Sequence, residues 1–152
     1  MTIKSDKIES LEKQARKWDE GNKGNPKITD FLILTGKQQS DLKRHLDQNW
    51  DPKYRHEVPR FIPAKLKHGY DSRVVRNKFS TDQFIDWIKA AGSDKAIIGS
   101  TEKPKKVGLK SDYTNPKTGK TYPVILTIDA SSAGNFLVTS VIPVGVWRPE
   151  DV

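Results

Sequence analysis

Lys65, Lys67 and His68 stand within four residues of one another, and Arg73 and Arg76 follow within two helical turns. A histidine takes up or releases a proton near neutral pH, and cationic side chains hold an anion in place. Together these types suit a phosphodiester: the cations hold the phosphate and the imidazole handles the proton. Cleaving RNA through its own 2′-hydroxyl needs a base for that hydroxyl, an acid for the leaving 5′-oxygen and positive charge for the phosphorane. A histidine fits either proton role, at roughly 10²–10⁴-fold in rate. The scheme calls for no metal and no cofactor. His45, His56 and His68 lie far apart in the sequence, which argues against a metal site.

Each candidate also has a plainer reading. His68 reads equally as a surface histidine in a basic loop. His45, beside Lys43 and Arg44, reads as an exposed structural residue. His56, in Tyr54-Arg55-His56-Glu57, reads as a loop residue bonded to Glu57 or backbone, with a second proton carrier as the alternative. Thr139-Ser140 interrupts an apolar strand, and threonine favours strands. Alternation places the two hydroxyls on opposite faces, so only one should line a cleft. Lys103, Lys105, Lys106 and Lys110 form a second basic cluster, with Lys117 and Lys120 in the next turn. They suit a solvated edge that discourages aggregation, or a track for nucleic acid. Trp147 is expected to pack at the core or its rim, with base stacking as the alternative.

The chain's 152 residues fit one domain with an appendage, and 34% hydrophobic against 30% charged residues allow a modest core. A net charge of +8 and a pI near 9.6 point to an anionic partner: nucleic acid, an anionic membrane surface or an acidic protein. The lack of cysteine excludes disulfides, thiolate metal sites and cysteine nucleophiles. It fits the cytosol, and equally a secreted domain that crosses a membrane unfolded. No apolar run approaches the ~18 residues of a membrane span. Met1 to Asp6 carries no signal peptide, so the chain is expected to stay in the cytosol or to travel within something larger.

The elements that must position these residues follow from periodicity. Ile8, Leu11, Ala15 and Trp18 predict a helix over 5–20 whose thin stripe docks weakly. Gly21 to Pro26 reads as a linker. An apolar run at 31–34 precedes a second helix over 38–49, which Asp51-Pro52 breaks. Residues 60–79 are the densest cationic stretch, and 64–76 is helical in part, with Gly69 the obstacle. Ser80 and Gln83 make a capping box, and Phe79 and Phe84 a hydrophobic staple. That helix presents Phe84, Trp87, Ile88 and Ala91 to a core and ends at Gly92. Strands are predicted over 96–99, 105–113, 121–129 and 135–146, separated by turns at 115–119 and 130–134. The plan is α+β: helices, then an antiparallel meander.

Lys65-Leu66-Lys67-His68, then Asp71, the capped helix around Phe84 and the late strand Phe136-Leu137-Val138-Thr139-Ser140 resemble the nuclease domain of colicin D and related toxins of contact-dependent growth inhibition. The resemblance covers about residues 60–146. It implies the barnase/EndoU/colicin/RelE fold, with N-terminal helices packed on a twisted antiparallel sheet. It implies a metal-independent ribonuclease that cuts tRNA and is neutralised by an acidic cognate immunity protein, with a host translation factor as an accessory partner. By that likeness His68 is the general acid and base, Lys65 and Lys67 hold the scissile phosphate, and Thr139 stands where the colicin has a serine. Arg73, Arg76, Ser140, Tyr70, Lys106 and Lys110 complete the expected substrate-binding set. One departure is Val141, where the colicin has a tryptophan, so stacking is expected to move to Tyr70, Tyr122 or Trp147. Residues 60–152 would be the nuclease domain, and 1–59 a helical extension or a segment for membrane passage. Such a toxin leaves its producer within a larger secreted or surface protein and acts in the cytoplasm of the target cell. Two rivals share the same basic residues: a ribosome-dependent mRNA-cleaving toxin of RelE type and a non-catalytic RNA-binding module. A structural protein of a phage or mobile element would neither bind nor cut.

Overall fold

Alternating apolar residues between positions 106 and 143 build the centre of a five-stranded sheet. The computed structural model describes residues 3–24, 31–49, 61–63, 65–100, 106–132 and 135–152. Its strands are β1 (Phe61–Ile62), β2 (Ile97–Ser100), β3 (Lys106–Thr114), β4 (Thr121–Ser132) and β5 (Asn135–Pro143), in the order β1-β5-β4-β3-β2. The four later strands pair antiparallel, and the two-residue β1 adds to β5 in parallel. The helices are α1 (Ser5–Asp19), α2 (Gly36–Asn49), α3 (Leu66–Tyr70) and α4 (Thr81–Ala91). The fold is α+β, with helices preceding an antiparallel sheet, as the sequence pattern predicts.

One face of the sheet supplies Val107, Leu109, Val124, Leu126, Ile128 and Val138, all buried with Phe84, Trp87 and Ile88 of α4. Burying each such side chain contributes about 1.5–3 kcal/mol. Trp87 keeps its indole N–H satisfied by donating to the Tyr122 hydroxyl at 2.9 Å. That bond and its burial place Tyr122 in the core, so it offers no base-stacking surface.

The start of α4 forms only half of the expected box. Ser80 Oγ accepts from the Gln83 N–H at 3.1 Å, but the Gln83 side chain turns away to donate to the Tyr113 hydroxyl at 3.0 Å. Phe79 packs edge-on against Trp87, with ring centroids 4.9 Å apart.

The weak docking expected of α1 is not what the structure has. Its stripe is thin but used: Leu11, Ala15 and Trp18 are buried in the same core as the sheet, and the partly buried Ile8 packs against it. Trp18 lies 5.1 Å from the ring of Tyr70 and donates to the carbonyl of Gly24 at 2.6 Å. At the end of α1, Asp19 accepts from the hydroxyls of both Tyr70 and Thr81, tying α1 to α3 and α4. The buried Gln38 of α2 donates to the carbonyls of Ser93, Asp94 and Ala96, so α2 fixes the loop that enters β2. The apolar run at 31–34 forms no strand, yet buries Phe31, Leu32 and Leu34.

Strand ends differ from expectation by a few residues. β4 continues to Ser132, and β5 stops at Pro143, where Val144 donates to Pro123 and Gly145 turns the chain with φ 77°. Asn25 and Pro26 of the expected linker, the break at Asp51-Pro52, His56, Arg60, Lys103 and Lys105 lie outside the described residues.

Candidate functional site

The basic segment folds as the five-residue α3 followed by a π-helical turn, Asp71–Arg76. In the π turn the Asn77 N–H reaches back five residues to the Ser72 carbonyl at 3.1 Å. This wider winding aligns residues four and five apart, so His68, Ser72 and Arg73 share one wall of a cleft. Lys78, in the left-handed region at φ 67°, ends the turn.

Gly69 seats this wall on the sheet. A Cβ at that position would stand 2.8 Å from the Cα of Ser140. Only a residue without a side chain lets α3 approach β5 so closely. The glycine that argued against a helix in the sequence is the reason the helix can dock here.

A β-bulge shapes the facing strand. Thr127 pairs with Ser140 and Ile128 with Val138, so Thr139 and Ser140 together oppose one residue of β4. The extra residue breaks the alternation. Thr139 and Ser140 therefore both line the cleft, contrary to the rule that allowed only one. The same shift turns Val141 into the core and Ile142 outward. Two positions after Thr139 the chain faces away from the cleft; two positions after Ser140 it faces into it.

The cleft has a volume of about 1140 Å³. Its floor carries Ile125 and Ile142 beside the hydroxyls of Thr127, Thr139 and Ser140. Lys95, Lys106 and Lys110 line the side formed by β2 and β3, across from His68 and Arg73, with Asp112 the one carboxylate among the described lining residues. Thr127 Oγ1 and Thr139 Oγ1 lie 2.7 Å apart, and each can also donate to a carbonyl: Thr127 to Ser140 at 3.2 Å, Thr139 to Thr127 at 3.3 Å. Either hydroxyl can thus be the donor of the pair, and the other then accepts. Arg73 donates from Nε to the Val141 carbonyl at 3.1 Å. Burial, then the neighbouring Arg76, lowers its pKa, but a guanidinium keeps its charge in proteins.

The structure gathers some of the expected site residues and separates others. His68, Arg73, Thr139, Ser140, Lys106 and Lys110 line the cleft. Lys65 is exposed at the start of α3 and Arg76 is exposed on the π turn, both outside the lining. Lys67 is also outside it, with Nζ held by Asp71 at 2.7 and 3.0 Å. Tyr70 is a correction. It is 4% exposed and donates to Asp19, because two residues along a helix from His68 is nearly the opposite side. Burial, followed by Asp19, raises its pKa to about 12, so it stays a neutral phenol. Trp147 is 74% exposed rather than packed, and its backbone N–H donates to the Asp151 carboxylate. His45 is half-buried rather than exposed, and burial lowers its pKa.

Lys95, Ser72 and Thr127 were missed. Thr127 had a signal, since it alternates with the core residues Leu126 and Ile128. Lys95 had none: it is a lone lysine in a turn, brought to the cleft by the β2–β3 pairing. Among the described residues, no three His, Cys, Asp or Glu side chains gather as metal ligands, and no helix is long and apolar enough to cross a membrane. No family model matches the chain, and no curated protein or solved structure matches it either.

Proposed function

We propose that this chain is a toxin ribonuclease that cuts tRNA by metal-independent transesterification and is neutralised by an acidic cognate immunity protein. One observation carries the reading: His68 opens onto a cleft that also holds Arg73, Lys95, Lys106 and Lys110 and three hydroxyls at a β-bulge. The cations offset the charge of a bound phosphodiester and of the phosphorane that forms from it. His68 removes the proton of the 2′-hydroxyl. The 2′-oxygen bonds to phosphorus, the bond from phosphorus to the 5′-oxygen breaks, and the proton passes to that oxygen. The products are a 2′,3′-cyclic phosphate and a free 5′-hydroxyl. Arg73, anchored on the Val141 carbonyl beside the bulge, is the cation placed to steady the phosphate, a part the resemblance gives to Lys65 and Lys67. The net charge of +8 favours fast capture by an acidic inhibitor.

The test is incubation of the purified chain with total tRNA in EDTA. Discrete fragments ending in 2′,3′-cyclic phosphate are expected, and His68→Ala abolishes them while its circular dichroism stays that of wild type. Full activity in that variant sinks the mechanism. Retention of tRNA without cleavage would identify a binding module, and cleavage confined to mRNA on ribosomes a toxin of RelE type.

A further inference from the structure

Gly99 and Gly108 face each other across the β2–β3 ladder, on the cleft side of the sheet. Glycine inside a strand weakens it, because it packs nothing and loses the most chain entropy on folding. The fold does not require glycine at 99. Its φ is not left-handed, and a Cβ built there meets no atom within 4 Å. A β-branched residue would fit and would strengthen the strand. What Gly99 leaves instead is a strip of exposed, uncovered backbone, paired with the buried Gly108. Lys106 and Lys110, two residues either side of Gly108, flank it along β3, and Lys95 lines the same end of the cleft. Beside it stands Ile97, paired with Lys110 and 68% exposed, an apolar side chain left open to solvent.

The strip continues a row that runs Ser140, Thr127, Gly108, Gly99 across the sheet. At about 4.8 Å between strands, Gly108 lies about 10 Å and Gly99 about 14 Å from Ser140. A group bound there belongs to a nucleotide other than the one cut beside His68. We infer that this trough is a second nucleotide subsite. An unpaired base lies flat on the exposed Gly99 backbone against Ile97, and Lys110 and Lys95 hold its phosphate. The inference rests on the ribonuclease reading for the identity of the substrate, and it predicts a length requirement: a dinucleotide reaches only the cleavage end of the cleft, and a tetranucleotide reaches both.

The experiment has a cleavage arm and a binding arm. Wild type should cleave an RNA tetranucleotide at least about tenfold more efficiently, by kcat/KM, than a dinucleotide, the scale of apolar burial against Ile97 together with one charge-assisted phosphate contact. In Gly99→Val the ratio should fall towards one while the melting temperature holds or rises. Lys110→Gln should lower the same ratio and guards against a valine variant that aggregates through its edge strand. In the binding arm, a fluorescent 2′-deoxy tetranucleotide, which has no 2′-hydroxyl to react, should bind Gly99→Val at least tenfold more weakly than wild type. Equal binding by folded wild type and Gly99→Val, or equal wild-type cleavage of the two lengths, overturns the subsite. Weakened binding by Gly99→Val, in a wild type that cuts no RNA, supports the subsite and sinks the ribonuclease reading.

Discussion

Alanine at position 69 tests whether α3 is held against β5 by the absence of one methyl group. The new Cβ would lie 2.8 Å from both Cα and Oγ of Ser140 and 3.0 Å from its Cβ. Carbon atoms settle at about 3.5–4.0 Å, so α3 or the bulge must give by about 1 Å. Inside an ordinary helix the change from glycine to alanine stabilises by about 1 kcal/mol. Overpacking costs about 1–3 kcal/mol, and the neighbour here includes backbone whose carbonyl already accepts from Thr127. The clash therefore at least offsets the propensity gain, and Gly69→Ala should lose up to about 2 kcal/mol in urea unfolding. His68 is the adjacent residue. A displacement of about 1 Å at a reacting group can cost on the order of 10²-fold, so tRNA cleavage should fall far more than stability does. A Gly69→Ala protein that is more stable than wild type and fully active refutes the close seating of α3 on the bulge.

Two further substitutions probe the scaffold. Tyr70→Phe removes the phenol that donates to Asp19 and should cost about 1.5–3 kcal/mol in urea unfolding, the range for a hydrogen bond to a charged group; an unchanged midpoint would show that α1 does not hold α3 through this bond. Burial, with Asp82 and Glu12 adding to it against Lys89 and Lys117, raises the pKa of Asp86, so its ionised form is disfavoured in the fold. The penalty is absent below the unfolded carboxyl value of about 3.9 and sets in as pH rises through the raised folded value. Asp86→Asn should therefore raise the melting temperature at pH 7, with the gain shrinking on acidification and gone below about pH 3.9. A gain that persists at pH 3 would assign it to packing instead.

The α+β plan was legible because it rests on local rules. Residues 121–128 alternate, Phe84, Trp87, Ile88 and Ala91 keep the helical period, and Ser80 marks the start of α4; each is a property of neighbours along the chain. The burial of Tyr70 had a local signal that its assignment to substrate binding overrode: it follows Leu66 by four residues and shares its face. The π turn was not, because a shift from four- to five-residue bonding leaves no mark in residue type. It nevertheless places Arg73 beside His68.

By itself the sequence determined the chemistry available: a basic chain without cysteine, one histidine among lysines, and strands able to carry hydroxyls. Tertiary structure decided which of those groups meet. Alternation predicts faces only while each residue of a strand has one partner, and at Thr139 two residues share Thr127. That single inserted residue brings both hydroxyls into the cleft and sends Val141 to the core. Lys95 and the Gly99–Gly108 pair meet the residues of β4 and β5 in the same cleft only because β2 and β3 pair onto those later strands, a contact that exists only once the sheet has formed.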